Sequence, residues 1–178
     1  MAFICLVSIG LPGIVCATRG ARIVDFQDYN VEVIDRLTIP NVLLNVPNAP
    51  EDGGSGGVVR PECRFFSGAW GSLEEILPTS KYDLILTSET IYNLENQSTL
   101  LSLFQKCLKE GGSVLVAAKV HYFGVGGGLR QFEEVAEKLS WTSQSVAKIE
   151  SGVMREIIRL TRTKKKCLKR PSGGSEIG

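Results

Sequence analysis

Apolar and polar residues along the chain follow two periods, one typical of strands and one typical of helices. Short apolar runs predict strands over residues 21–26, 63–66, 82–87, 114–120, 142–149 and 153–161. Apolar residues spaced three or four positions apart predict helices over residues 31–37, 72–77, 98–109 and 129–139. Strands and helices that alternate in this way indicate an α/β fold with a mostly parallel sheet.

The last two predicted strands follow one another without a helix between them. Because parallel neighbours need a long crossover, this pair predicts an antiparallel C-terminal hairpin at one edge of the sheet. The 178 residues, 43% of them hydrophobic, predict one domain over residues 1–161. We expect Pro40 to end the helix over 31–37, Gly111 and Gly112 to close the helix over 98–109, and the glycine-rich segment 47–61 to be a flexible loop.

The strand over residues 82–87 runs directly into a polar, acid-bearing turn. Open α/β sheets bind ligands at the carboxyl ends of their strands, so the polar residues that follow are candidates for a functional site: Ser88, Glu89, Tyr92 and Asn93. The alternative for Ser88 and Glu89 is that they cap the next helix.

Charge divides the chain into a mildly acidic body and a basic end. The whole chain carries a net charge of +1, but residues 162–178 hold six lysines and arginines against one acid, so the rest is net −4. An acidic body does not suit direct nucleic-acid binding, whereas it suits a basic protein substrate. The basic end suits nucleic acid or a nuclear import receptor, or it is a disordered, solvated tail. We expect the protein in the cytoplasm and the nucleus.

The five cysteines are scattered singly and the chain has one histidine, which argues against a zinc site and for reduced thiols in the cytosol or nucleus. The apolar start of the chain raises a signal peptide as an alternative. It lacks a basic first region and contains Gly10 and Pro12, which disfavours that interpretation. No other segment has the length of apolar sequence that spans a membrane.

Several segments together resemble the histidine protein methyltransferase family, over roughly residues 9–160. They are Gly10-Leu-Pro-Gly-Ile, Phe26-Gln-Asp-Tyr-Asn, Leu37-Thr-Ile-Pro-Asn, Cys63-Arg-Phe-Phe-Ser-Gly-Ala-Trp, Leu86-Thr-Ser-Glu-Thr-Ile-Tyr-Asn and His121-Tyr-Phe-Gly-Val-Gly-Gly-Gly. The family belongs to the protein methyltransferases marked by an acid-x-x-Tyr motif, here Glu89 and Tyr92.

This resemblance implies a Rossmann-like, seven-stranded methyltransferase sheet. It also implies methyl transfer from S-adenosylmethionine to a ring nitrogen of a histidine, with a large-subunit ribosomal protein as the target. We expect the protein to be a monomer. The residues that the resemblance assigns to the cofactor are Gly10, Gly13, Gln27, Asp28, Tyr29, Gly68, Ala69, Trp70 and Ser88, and those it assigns to catalysis are Glu89, Tyr92, Asn93 and His121.

The chemistry of these residues is compatible with the implied roles. Asp28 can accept hydrogen bonds from ribose hydroxyls, or it can form an Asx-turn. Trp70 can offer a ring face and one N–H donor to adenine, or it can be a core residue. Glu89 or Asn93 can hold the second ring nitrogen of the acceptor, which fixes its tautomer, and Glu89 can stabilise the positive charge that develops there. A lone histidine such as His121 is more often structural.

The first motif of the family is incomplete in this chain. It normally places an acid and alternating glycines after the first strand, and those positions fall here on Ile4, Leu6 and Ser8. Leu6 projects a side chain where backbone amides approach the cofactor, and Ile4 cannot pair with an ammonium group. We therefore expect a degenerate or incomplete first strand, in a truncated gene model, an isoform or a fragment.

Two other functions compete with the enzyme. One is a catalytically impaired relative that serves as a protein-binding module, which the incomplete first motif favours. The other is a nicotinamide-dependent oxidoreductase, which is disfavoured because no G-x-G-x-x-G pattern follows the first strand.

Overall fold

A computed structural model describes residues 1–6, 9–46, 61–122, 124 and 127–163. The described chain forms one seven-stranded sheet in the order β3-β2-β1-β4-β5-β7-β6. The strands are β1 (Ala2–Leu6), β2 (Ile23–Asp28), β3 (Glu62–Ser67), β4 (Tyr82–Ser88), β5 (Leu108–Lys119), β6 (Trp141–Ile149) and β7 (Arg155–Arg162). Strands β1 to β5 are parallel, and β7 pairs antiparallel with both β5 and β6. The predicted fold class and its C-terminal hairpin are confirmed.

Helices follow most of the strands. They are α1 (Leu11–Thr18), α2 (Val31–Val33), α3 (Ile39–Asn45), α4 (Trp70–Ile76), α5 (Leu94–Cys107) and α6 (Leu129–Lys138), with a π-helical segment (Ile34–Thr38) between α2 and α3. None of the helices within the described residues is long and apolar enough to cross a membrane.

The predicted end of the helix at Pro40 is wrong. The helical backbone continues through the π-helical segment into α3, where Pro40 lies in the first turn. A proline is tolerated there because the wider π-helical turn precedes it, so the helix does not need a hydrogen bond from the N–H group that proline lacks. The chain therefore stays helical to Asn45.

The predicted closure of α5 at Gly111 and Gly112 is also wrong. The helix ends at Cys107, and both glycines lie inside β5. A side chain at Gly112 would approach the carbonyl oxygen of Asp83 at 3.0 Å, so this glycine allows β5 to pass close to β4. The predicted flexible loop, apart from Pro61, and the predicted disordered tail, apart from residues 162 and 163, lie outside the described residues.

The apolar start of the chain forms β1, a five-residue strand in the middle of the sheet, paired with β2 on one side and β4 on the other. A larger core packs against α4, α5 and α6 on one face, and a smaller core packs against α1 and α3 on the other. In β1, Ile4 belongs to the larger core and Cys5 to the smaller one. Because successive side chains of a strand point to opposite faces of the sheet, β1 contributes residues to both cores.

The fully buried carboxylate of Asp25 in β2 joins three strands. It accepts bonds from Arg64 of β3 at 2.8 and 2.5 Å, from Lys81 at 3.2 Å and from the Tyr82 hydroxyl of β4 at 2.5 Å. Burial, and then the bond to Asp25, raises the pKa of Tyr82 well above that of an exposed tyrosine. The hydroxyl therefore remains a donor at physiological pH.

Replacing Asp25 with alanine is expected to destabilise the protein by roughly 2–3 kcal/mol, because the buried Tyr82 hydroxyl loses its acceptor and the partly exposed Arg64 and Lys81 lose their carboxylate. Glu62→Ala is the matched control, since Glu62 lies 3.8 Å from the same Arg64 but its side chain is 60% exposed. This change should cost less than about 1 kcal/mol. Urea unfolding of both variants measures the difference, and equal losses would contradict the structural role of Asp25.

Candidate functional site

A cleft of about 530 Å³ lies at the carboxyl ends of the central strands. The strand order reverses between β1 and β4, and in open α/β sheets such a reversal opens a crevice that binds ligands. The volume is in the range that encloses a small-molecule ligand. The cleft is lined by Leu6, Gln27, Asp28, Tyr29, Asn30, Gly68, Ala69, Trp70, Gly71, Ser88, Glu89, Thr90, Tyr92, Asn96 and Thr99.

Asp28 ends β2 and lines the cleft. Its Oδ1 atom accepts a bond from the Asn30 backbone N–H at 2.8 Å, which is the Asx-turn that the sequence leaves open. The turn fixes the carboxylate at the cleft wall, so the turn and a ligand-binding role are compatible. Tyr29, between them, also lines the cleft and is largely exposed.

Gln27 and Trp70 form a fixed pair across β2 and α4. The Gln27 side-chain amide donates to the Gly68 carbonyl oxygen at 2.8 Å and accepts from the Trp70 Nε1–H at 3.3 Å. Because the indole N–H is engaged, Trp70 presents its ring rather than a donor to the cleft. Gln27 is almost fully buried, so its described bonds make it a support for the cleft wall.

The β1 side of the cleft is apolar. Leu6 lines the cleft, as its place in the incomplete motif predicts, whereas Ile4 is buried in the larger core and Ser8 lies outside the described residues. Gly10 and Gly13 do not appear among the residues that line the cleft. A side chain at Gly13 would approach Phe26 Cε1 at 2.4 Å, so this glycine allows α1 to pack on the sheet.

Glu89 follows β4 and has an unusual backbone conformation. Its φ angle is 56°, in the left-handed region that non-glycine residues rarely adopt, and its N–H donates to the Ala117 carbonyl oxygen of β5 at 2.9 Å. Strained backbone of this kind is concentrated at functional sites. The conformation places Glu89 at the cleft beside Ser88, with its side chain 41% exposed.

The other predicted catalytic residues lie at different places. Tyr92 lines the cleft and is 50% exposed. Asn93 is the N-cap of α5, where its side-chain oxygen accepts from the Glu95 N–H at 3.0 Å. His121 is exposed just beyond β5, where it forms an isolated bridge with Gly128. Neither Asn93 nor His121 is among the cleft-lining residues.

Lys119 and Tyr122 complete the Glu89 corner. Tyr122 stands in the motif that begins at His121, whereas no sequence motif indicated Lys119. The Lys119 Nζ lies 3.6 Å from Glu89 Oε2 and 5.5 Å from the Tyr122 ring centroid. The Tyr122 ring is 6.4 Å from that of Tyr92. Burial, and next the negative charge of Glu89, raises the pKa of Tyr122 to about 12. We call Glu89, Lys119 and Tyr122 the acid corner.

The geometry therefore divides the cleft into two parts. One part has a carboxylate, Asp28, beside small residues and an aromatic ring at the ends of β2 and β3. The other has Glu89 and Tyr92, which follow β4, and Lys119 of the acid corner lines an adjoining pocket that shares Ser88 and Glu89 with the cleft. Such an arrangement can hold a nucleoside-like group in the first part and a hydrogen-bonding acceptor group in the second.

Comparisons with known proteins show the family to which the chain belongs. A family model described as lysine methyltransferase matches residues 10–124. The chain is 41% identical over 172 residues to the histidine protein methyltransferase 1 homolog of Rattus norvegicus, a match that covers 85% of this chain and 47% of that protein. The homolog in Dictyostelium discoideum is also 41% identical, over 155 residues, with 85% of this chain and 46% of the relative covered. The chain thus spans about half the length of the curated relatives it matches.

Solved structures share the fold at low sequence identity. A SAM-dependent methyltransferase from Methanosarcina mazei has a TM-score of 0.62 at 12% identity, with 91% of this chain and 92% of that chain covered. A ribosomal protein L11 methylase from Lactobacillus delbrueckii has a TM-score of 0.57 at 19% identity, with 91% and 69% covered. The resemblance indicated by the sequence motifs, and the methyltransferase sheet it implies, are confirmed.

The raised pKa of Tyr122 predicts a pH dependence with a definite sign. In the unfolded chain this tyrosine ionises near 10 and in the folded protein near 12, so its contribution to stability is complete below pH 10 and is lost as pH rises towards 12. Glu89→Gln should lower the pKa of Tyr122 but leave it above 10, because burial is the larger cause. Tyrosinate absorbance, assigned with Tyr122→Phe, measures this, and a titration unaffected by Glu89→Gln would contradict the contact.

Proposed function

We propose that this chain, which belongs to the methyltransferase family matched over residues 10–124, transfers the methyl group of S-adenosylmethionine to a ring nitrogen of a histidine in a protein. The observation that carries the proposal is that Asp28 and Glu89 line one cleft at the reversal of the strand order. The names of the relatives support histidine as the acceptor.

The residues of the first part of the cleft fit the nucleoside of this cofactor. Asp28 would accept bonds from the ribose hydroxyls, as an acid at this edge does in nucleotide-binding sheets. Gly68 and Ala69 would leave room for the adenine beside the Trp70 ring, which Gln27 holds in place. When bound, S-adenosylmethionine supplies a methyl group already activated by its sulfonium. Leu6 would give the cofactor's amino-acid end an apolar neighbour, so we propose that binding depends mainly on the nucleoside end.

The acid corner would prepare the acceptor. A neutral imidazole has one nitrogen with a proton and one with a lone pair, and the carboxylate of Glu89 would accept the N–H bond. That bond leaves the lone pair of the other nitrogen facing the cofactor part of the cleft and stabilises the charge that develops on the ring. Tyr92 would form an aromatic wall. Asn93 and His121 remain proposals as catalytic residues, and the bond from Glu95 gives Asn93 a capping role as well.

We further propose that the substrate is a basic protein, with a large-subunit ribosomal protein as the leading candidate. Apart from its basic end, the chain carries a net charge of −4, which favours approach of a basic partner. A monomer acting in the cytoplasm and the nucleus is part of this proposal. The alternative is a catalytically impaired relative that serves as a protein-binding module.

Removal of the Asp28 carboxylate is expected to weaken S-adenosylmethionine binding by about tenfold or more, the effect of losing hydrogen bonds to a charged group. Isothermal titration calorimetry of the wild type and Asp28→Ala measures the change. Asp35→Ala is the matched control, because Asp35 is an exposed acid outside the cleft lining, and it should bind like the wild type. Absence of binding by the wild type at millimolar cofactor would refute the enzyme and favour the binding module.

Glu89→Gln should leave cofactor affinity within about threefold while it lowers methyl transfer by about a hundredfold, the usual effect of losing one group that stabilises developing charge. The assay uses purified large-subunit ribosomal proteins, labelled cofactor, and methylhistidine in acid hydrolysates as the readout. The control Glu95→Gln removes an exposed acid in the first turn of α5 and should retain activity. Methyl-lysine as the product would contradict the proposed acceptor.

A further inference from the structure

We propose that Lys119 determines the specificity of the acid corner by excluding a cationic acceptor, such as a lysine ammonium, and admitting a neutral imidazole. The inference rests on the proposed function, because it takes Glu89 as the group that holds the acceptor. It concerns the last residue of β5.

The carboxylate of Glu89 already has a cationic partner in the acid corner. The Lys119 ammonium lies 3.6 Å from Glu89 Oε2, and both side chains are partly exposed, at 36% and 41%. At this distance the positive charge largely compensates the negative one for any third group nearby. A carboxylate that already has a cationic partner attracts a second cation weakly.

Lys119 also contacts the aromatic face of Tyr122. The same Nζ lies 5.5 Å from the centroid of the Tyr122 ring, within the range of a cation–π contact. The Lys119 backbone N–H also donates to the Tyr122 hydroxyl oxygen at 3.3 Å, so ring and lysine are held together at two points. The face of Tyr122 that would attract an incoming ammonium is therefore already in contact with a cation.

The pairing of β5 with its neighbouring strands brings these residues together. The Glu89 N–H bonds the Ala117 carbonyl oxygen, and Lys119 lies two residues further along β5, on the same side of the sheet as Ala117. Lys119 is paired across the sheet with Arg155 of β7, and Arg155 lowers the pKa of Tyr122 through its charge. A second base thus adds to the positive potential on this side of the acid corner.

A neutral imidazole meets no such obstacle. A carboxylate offers about four lone-pair sites on its two oxygens, so Glu89 can retain Lys119 and still accept an N–H bond. The charge of Glu89 and the face of the Tyr122 ring could each hold an ammonium acceptor, and both are in contact with Lys119. This difference between a neutral and a cationic acceptor would give a histidine-directed site in a family whose model is described as lysine methyltransferase.

The test is binding of two small probes, imidazole and n-butylammonium, to the full chain at pH 8.5, where the first is mainly neutral and the second charged. NMR shifts of labelled tyrosine rings at positions 92 and 122 report occupancy without any turnover. The wild type should bind imidazole more tightly than n-butylammonium. Lys119→Met should tighten n-butylammonium binding by about tenfold or more, since it removes a like charge near 4 Å, and change imidazole binding by less than about threefold.

Two variants control the experiment. Lys119→Arg keeps the charge and should still exclude n-butylammonium. Lys109→Met removes a lysine of similar exposure, 43%, that pairs with Asp83 at 3.0 Å outside the acid corner, and should bind like the wild type. Thermal unfolding checks that each variant folds.

The inference is overturned if n-butylammonium binds no more tightly after Lys119→Met, or if Lys109→Met gives the same gain. Failure of the proposed function has a different signature, because it is measured by S-adenosylmethionine calorimetry. A chain that shows the predicted selectivity between the two probes but binds no S-adenosylmethionine would support the role of Lys119 and refute the proposed methyltransferase activity.

Discussion

The buried carboxylate of Asp25 constrains the strands from which the cleft is built. It binds Arg64 of β3 and the Lys81–Tyr82 pair at the start of β4, and so it reaches across β1, where Ile4 lies between Asp25 and Ile85 in register. An unpaired charge at this depth costs several kcal/mol, so the bonds must form together. The relative positions of β2, β3 and β4 are therefore coupled, and with them the ends that carry Asp28, Gly68 and Glu89.

The order of elements could be predicted from the sequence because apolar periodicity changes clearly from strand to helix. The C-terminal hairpin followed from the absence of a helix between two strands. The helix boundaries could not be predicted in the same way, because they depend on neighbours. Pro40 is accommodated by a π-helical turn, and Gly112 continues a strand where β5 approaches Asp83 of β4. In both places tertiary packing overrides the local preference of proline or glycine.

The candidate site could be predicted in part for a similar reason. The positions at strand ends, Asp28, Ser88 and Glu89, are adjacent to apolar runs that can be read locally, and the structure places them at one cleft. The capping role of Asn93 could also be predicted from the sequence, since asparagine before a helix is a common N-cap. Lys119 could not be predicted, because its contact with Glu89 depends on the pairing of β4 with β5. The packing role of Gly13 likewise requires knowledge of Phe26 on a different element.

The two parts of the cleft are held by separate sets of contacts, and this separation limits how damage in one part affects the other. The turn at Asp28 and the Gln27–Trp70 pair depend on β2, β3 and α4, whereas the acid corner depends on β4 and β5. Leu6 belongs to the apolar β1 side between them and contributes to neither set of polar contacts. A substitution at Leu6 can therefore change the apolar side of the cleft while both sets of polar contacts persist. The two sets are local contacts within one frame, because Asp25 couples the positions of β2, β3 and β4.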